Sequence, residues 1–210
     1  MKVTKYPQSC LIIEHKGSRL IIDPGNFVAE KYKATDLGRI DGILITHEHS
    51  DHADINLIRN LIGDRKVDVV GNKSTADSLK TLVTKIVSDG ESFTVAGIQV
   101  IAKELPHVAM IDGSMGPQNT GYLIDAVFFH PGDGIKISGL NARTAAVPIA
   151  GPDISFRDSV DYLKSVNCKI AIPVHYDYFI SNPEQFAHIA KSILPDVKIT
   201  VLNSGESTEI

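Results

Sequence analysis

The chain has 210 residues, 43% hydrophobic and 22% charged, an ordinary globular balance that supports a core with no need of a metal merely to fold. Its formal charge of −4, with no run of Lys or Arg beyond two, argues against an extended phosphate-tracking surface. Two cysteines, Cys10 and Cys168, are too few for a disulfide scaffold and read as buried reduced thiols, and no stretch nears the roughly 18 apolar residues of a membrane helix, so a cytoplasmic location is expected.

In chain order, residues 11–15 and 19–23 are strand-like, and Lys16-Gly17-Ser18 between them is a hairpin signal. Asp23-Pro24-Gly25-Asn26 stops the second strand. Residues 42–46 read as a buried strand, and residues 54–62 carry helical spacing at Ile55, Ile58, Leu61 and Ile62. Residues 67–70 are another apolar run. The clearest helix is predicted over 74–87, with Ala76, Leu79, Leu82, Val83 and Ile86 on one face and Asn72 or Ser74 as its cap. Residues 93–102 predict two strands turning at Ala96-Gly97, and residues 121–125 and 126–130 a second pair. A strand over 143–149, a helix over 156–165, a strand over 169–174, a helix over 183–194 opened by Pro183, and a closing run over 198–202 complete the chain. No linker or low-complexity tract interrupts it, which predicts a single domain over residues 1–210. Each half runs from strands to a helix, a weak internal symmetry. The expected architecture is α/β: two β-sheets packed on each other with helices outside.

The chemistry concentrates in Thr46-His47-Glu48-His49-Ser50-Asp51-His52. His47 and His49 are two apart at the end of a buried strand, where alternate side chains point the same way, so both imidazoles can meet one metal. Asp51 and His52 face differently unless the backbone turns, and a turn into the helix near Asp54 can aim them at a second metal. Imidazole nitrogen and carboxylate oxygen suit zinc, and also manganese or iron. One cluster cannot complete two coordination spheres. His107, Asp133 and His175 each sit just beyond a predicted strand end, where loops collect functional groups, and glycines flank Asp133.

This pattern resembles the metallo-β-lactamase superfamily, in the compact subgroup similar to ascorbate-6-phosphate lactonase. The likeness runs through Ile22-Asp23-Pro24-Gly25, the H-x-H-x-D-H loop and Gly116-Pro117-Gln118-Asn119-Thr120-Gly121-Tyr122. It continues in Phe129-His130-Pro131-Gly132-Asp133, Val147-Pro148-Ile149 and Ile172-Pro173-Val174-His175. The resemblance implies a four-layer αββα sandwich of two mixed sheets. It also implies two divalent metal ions, zinc foremost, one on His47, His49 and His107 and the other on Asp51, His52 and His175, bridged by Asp133. Asp51 and Asp133 are then the carboxylates of the catalytic centre. A bridging hydroxide would attack an ester or lactone carbonyl in a small molecule.

Such a centre keeps about one positive charge and favours an oxygen that becomes anionic, so an anionic substrate is compatible with it. Phosphodiester or nucleic-acid cleavage by the same centre is the second reading, lowered by the absence of a basic surface. A non-hydrolytic metal or redox protein is the third. No membrane partner is expected, and self-association is left open. Among the remaining polar residues, Asp23 is a candidate support behind the ligand loop. His130 either steadies a ligand or pairs with backbone. Asn119 and Tyr122 either face the substrate or serve a turn and the core. Tyr176 and Tyr178 either line the pocket or simply pack. His15 and His188 read as structural or surface residues.

Overall fold

The computed structural model describes all residues, 1–210. The first sheet takes β1 (Lys2–Lys5), β2 (Leu11–His15), β3 (Ser18–Ile22), β4 (Gly42–Leu44), β5 (Asp68–Gly71) and β6 (Lys85–Ile86) in sequence order. The second takes β7 (Ser92–Val95), β8 (Ile98–Pro106), β9 (Gln118–Ile124), β10 (Phe128–His130), β11 (Thr144–Pro148), β12 (Ile170–Val174) and β13 (Lys198–Ile199). The chain then returns to the first sheet, where β14 (Ser207–Glu209) pairs with β1.

Four helices follow strands of the first sheet: α1 (Asn26–Lys31), α2 (Ala34–Leu37), α3 (Ile55–Ile62) and α4 (Lys73–Leu79). Two follow strands of the second: α5 (Phe156–Val166) and α6 (Pro183–Ile193). Three separate cores define four layers. Leu11, Ile13, Leu20 and Ile22 of one sheet meet Val100, Tyr122, Ile124 and Phe128 of the other. Ile12, Ile21 and Ile43, the alternate residues of the same strands, pack outward on Ile58, Leu61 and Leu79. Phe129, Ala145 and Val147 pack outward on Val160, Leu163 and Phe186. Strands covered on both faces explain why the apolar runs are continuous rather than alternating.

The internal symmetry is real at the level of topology. In each sheet an antiparallel series, β1 to β3 or β7 to β10, gives way to a parallel series, β3 to β6 or β10 to β13. Because β8 and β10 both run against β9, while β10, β11 and β12 are parallel, β8, β10 and β12 end at one edge.

The helix expected over residues 74–87 is shorter. Asn72 caps it by accepting from the Thr75 amide, as expected, but α4 stops at Leu79. Lys80 is left-handed (φ 53°), a 3-10 turn follows, and Lys85 and Ile86 join the sheet edge beside β5. Thr81, Val83, Thr84, Ile86 and Val87 are β-branched, which weakens a helix and suits a strand. No helix is long and apolar enough to cross a membrane. Cys10 and Cys168 are free and buried.

Candidate metal centre

Four strand ends meet. The loop after β4 carries His47, His49, Asp51 and His52, and Asp54 then caps α3 by accepting from the Leu57 amide. Across from it, β8 delivers His107, β10 delivers Asp133 and β12 delivers His175. The structure thus brings all seven expected residues together. Donor atoms of His47, His49 and His107 lie within 4.8 Å of one another, as do those of Asp51, His52 and His175, and those of His47, His52 and Asp133.

The rings are oriented from behind. His107 Nδ1 lies 2.6 Å from the Val108 carbonyl, His175 Nδ1 2.7 Å from the Ala150 carbonyl, and His52 Nδ1 2.8 Å from the Asp23 carboxylate. These partners only accept, so each Nδ1–H donates and each Nε2 turns inward. Nε2 of His52, His107 and His175 and Oδ1 of Asp133 are buried without a hydrogen-bond partner. Orphaned buried polar atoms are costly, and these four fall in neighbouring donor sets, His107 with His47 and His49, Asp133 with His47 and His52, and His52 and His175 with Asp51, where bound cations would satisfy them. His47 Nε2 and His49 Nδ1 face each other at 3.1 Å, two nitrogens aimed at one shared position. The residues therefore fit metal ions.

The electrostatics are those of a shared-proton cluster. Burial pushes His47 well down and His49 down, with neighbouring imidazoles adding to the effect. Burial opposes charge on His52 and His175 too, but the adjacent carboxylates outweigh it. Asp133 and Asp23 hold His52 well above the usual histidine range, and Asp133 and Asp51 lift His175 to about 10. Both Asp51 and Asp133 sit well below the usual carboxylate range despite burial, held there chiefly by His175 and His52. The ion-pair distances agree: His175 Nε2 is 3.1 Å from Asp133 and 3.5 Å from Asp51, and His52 Nε2 is 3.3 Å from Asp133.

Asp23 stands behind the ligand loop, as expected from sequence. It is fully buried and accepts from the Thr46 amide, the Thr46 hydroxyl and His52, each at 2.8 Å. Glycines admit this close packing. A Cβ at Gly25 would overlap the Asp51 carbonyl, and Gly132 (φ 60°) would carry one into Asn119 and Thr46. His175 itself is left-handed (φ 59°), held by its amide on the Gln8 carbonyl at 3.1 Å.

Several polar residues resolve to the less functional of their two readings. His130 accepts from the Gly132 amide at Nδ1 and so donates from Nε2 to the Ser9 carbonyl, bracing the Asp133 loop without touching a ligand side chain. Asn119 is buried, donates to the Pro131 carbonyl and accepts from the Asp133 amide. Tyr122 is core, its hydroxyl on the Ile45 carbonyl. Tyr176 packs under the Lys5 ammonium, while Tyr178 does line the cavity. His15 pairs with Asp125, and His188 is exposed on α6.

Sequence reasoning missed Gln8. It is fully buried and left-handed (φ 60°), its amide nitrogen donates to Asp51 at 2.9 Å, and its side-chain carbonyl accepts from the Asp177 and Tyr178 amides. It belongs to no short motif and reaches Asp51 from 43 positions away, so nothing local in the sequence marked it. Replacing Gln8 by Leu should leave the fold in place but weaken metal retention or turnover about 10–100-fold, the usual cost of losing a residue that orients a ligand. Metal content by emission spectrometry with parallel kinetics checks this, and wild-type values for both would remove Gln8 from the site.

Comparison with known proteins agrees with this geometry. Residues 2–175 match the family model described as a beta-lactamase superfamily domain. A UPF0173 metal-dependent hydrolase of Thermoplasma volcanium is 30% identical over 210 aligned positions, covering 92% of each chain. Among solved structures, Igni18, a metallo hydrolase from Ignicoccus hospitalis, superposes with a TM-score of 0.79 at 20% identity, covering 100% of this chain and 98% of that one. An isothiocyanate hydrolase from Delia radicum gut bacteria superposes at 0.78 with 14% identity, covering 100% and 99%. These last two are likenesses of fold.

Proposed function

From the premise that the chain belongs to the beta-lactamase superfamily domain family and is a metal-dependent hydrolase within it, we propose that it holds two divalent ions, zinc foremost, and cleaves an ester- or lactone-type bond of a small molecule. The observation that carries this reading is the inward convergence of three buried imidazole nitrogens and a carboxylate oxygen that make no hydrogen bond and have only neighbouring carboxylates and imidazoles of the cluster as charge partners. His47, His49 and His107 would hold one ion and Asp51, His52 and His175 the other, and Asp133, whose donor atom groups with those of His47 and His52, would bridge the two. Bound there, the ions would polarise a carbonyl oxygen and make water nucleophilic at neutral pH.

The chain's own residues do the positioning. Asp23 and the Val108 and Ala150 carbonyls fix three rings so that Nε2 is the free atom. Gln8 turns the Asp51 carboxylate, and Asn119 holds the backbone of Asp133. The 210 residues act as one domain, and the expected place of work is the cytoplasm.

The direct test is metal analysis of the purified protein, then hydrolysis of a lactone panel beside bis-p-nitrophenyl phosphate. About two ions per chain and lactone turnover are expected. Fewer than one ion per chain under every loading condition would end the dinuclear reading, and turnover of the phosphodiester alone would move the chain to the phosphodiesterase class.

A second expectation follows from the proton balance. Imidazole binds a metal only when neutral, and with the metal removed by chelator His175 keeps its second proton up to about pH 10, with His52 raised as well. Metal uptake at pH 8 should therefore release one to two protons, fewer as the pH passes 10, and apparent affinity should rise with pH below that. Titration calorimetry in buffers of different ionisation enthalpy measures the number directly. Identical heats in all buffers would contradict it.

A further inference from the structure

A cavity of about 620 Å³ opens outward from His49, Asp51, His107, Asp133 and His175, a size that encloses a small organic ligand. Its lining contains no lysine or arginine, and beyond the metal cluster its one charged side chain is Asp112. Beyond the cluster the lining thus offers a phosphate or carboxylate no cationic side chain to pair with, and its one charged group, exposed Asp112, has the same sign. Away from the cluster, Asn26, Ser50 and Ser114 supply neutral polar groups, and the remaining lining is apolar or aromatic.

One wall is aromatic and continuous. The Phe179 ring stacks near His175 (centroids 6.3 Å, 24°), Tyr178 meets Phe179 edge-on (4.8 Å), and Phe27 meets Tyr178 (5.7 Å). The lining also includes Met110 and Ile111, on the loop after His107. Tyr178 is 61% and Ile111 81% exposed, so the lining of this cavity holds large apolar surface in water. An apolar group lying against it would remove that surface from water, at about 25 cal/mol per Å².

We propose that this pocket selects a neutral acyl compound, an ester or lactone, whose alkyl or aryl arm lies along Phe179, Tyr178 and Phe27. Substrates with a phosphate on that arm are rejected. The inference rests on the hydrolase reading and adds the class of substrate. The reaction is a plain hydrolysis: the bond between the acyl carbon and the ring or ester oxygen breaks, the carbon gains the hydroxyl of water, and the leaving oxygen takes the proton. Nothing is oxidised or reduced.

The test uses the zinc-loaded full chain and γ-lactones with unbranched arms of one to eight carbons, plus an eight-carbon arm ending in phosphate. Each added methylene should raise kcat/KM about three- to fourfold until the cavity is filled, the worth of one buried CH₂. The phosphorylated arm should fall at least 100-fold below its alkyl counterpart. Phe27→Ala and Tyr178→Ser should flatten the dependence on arm length, mainly through KM. Calorimetric binding of the matching alkyl lactams, which the centre does not open readily, provides a readout free of turnover. Lactam affinity that rises with arm length while no lactone is cleaved would support the pocket and end the lactone reading of the reaction. Lactone turnover with a flat length dependence, or with a preference for the phosphorylated arm, would overturn the pocket and leave the hydrolase reading standing.

Discussion

Asp133→Ala should reduce kcat/KM by roughly 10²–10⁴-fold and leave the protein with one metal ion or fewer per chain. Asp133 approaches His52, His107 and His175 at 3.3, 3.6 and 3.1 Å, so it is the carboxylate common to both halves of the donor set. Its removal leaves a buried group of imidazoles without the charge that balances them. Breaking a buried ion pair by deleting one partner costs about 3–5 kcal/mol of stability; the loss of rate is a separate effect, roughly 10²–10⁴-fold, from losing the ions that would make water nucleophilic. Asp133→Asn separates the roles. It preserves shape and the acceptor oxygen, so the fold should hold, while the lost charge should still lower metal occupancy. Elemental analysis, thermal unfolding and kinetics on the same samples check the set. Two ions per chain with near wild-type turnover in Asp133→Ala would remove this residue from the centre.

The second large effect belongs to Asp23, which touches no expected substrate. Asp23→Ala leaves the Thr46 amide, the Thr46 hydroxyl and His52 Nδ1 buried without an acceptor. Three abandoned donors, one on a histidine whose charged form Asp133 and Asp23 together favour, should cost about 3–5 kcal/mol. For a chain of this size that lowers Tm on the order of 10 °C. Asp23→Asn keeps the volume and part of the bonding but cannot accept from all three donors. It should fold with a smaller loss and bind metal about 10–100-fold less tightly. Scanning calorimetry with and without chelator reads both effects. If Asp23→Ala melts within 2–3 °C of wild type, the carboxylate is not the support inferred here.

Legibility in the sequence followed the range of the interactions. The H-x-H-x-D-H loop is short-range, its residues sit within six positions, and their spacing already implied a joint purpose. The hairpins at Lys16-Gly17, Ala96-Gly97 and Asp125-Ala126 were legible because their left-handed residues are local features, and all six have positive φ. The helix over 74–87 was overextended because Leu82, Val83 and Ile86 satisfy a helical period and an edge strand equally well. Pairing with β5, a tertiary contact, decided between them. β1 and β14 were missed because Lys2, Lys5, Ser207 and Glu209 carry no apolar alternation, and the two strands are held by each other and by β2. Gln8, Asn119 and the Val108 and Ala150 carbonyls act across the fold on residues remote in sequence, so no local pattern announces them.

The arrangement of the four donor-bearing loops also sets an order of events in the life of the chain. Three of them belong to one sheet and the fourth to the other, and the last donor, His175, lies more than 120 positions after the first. A nascent chain therefore passes most of its synthesis with an incomplete set of donors. It cannot present the whole cage until β12 has docked and the two sheets have closed. A complete set of donors is in this sense a report of finished folding, since a chain that stalls midway holds at most the four ligand-type residues of the loop after β4.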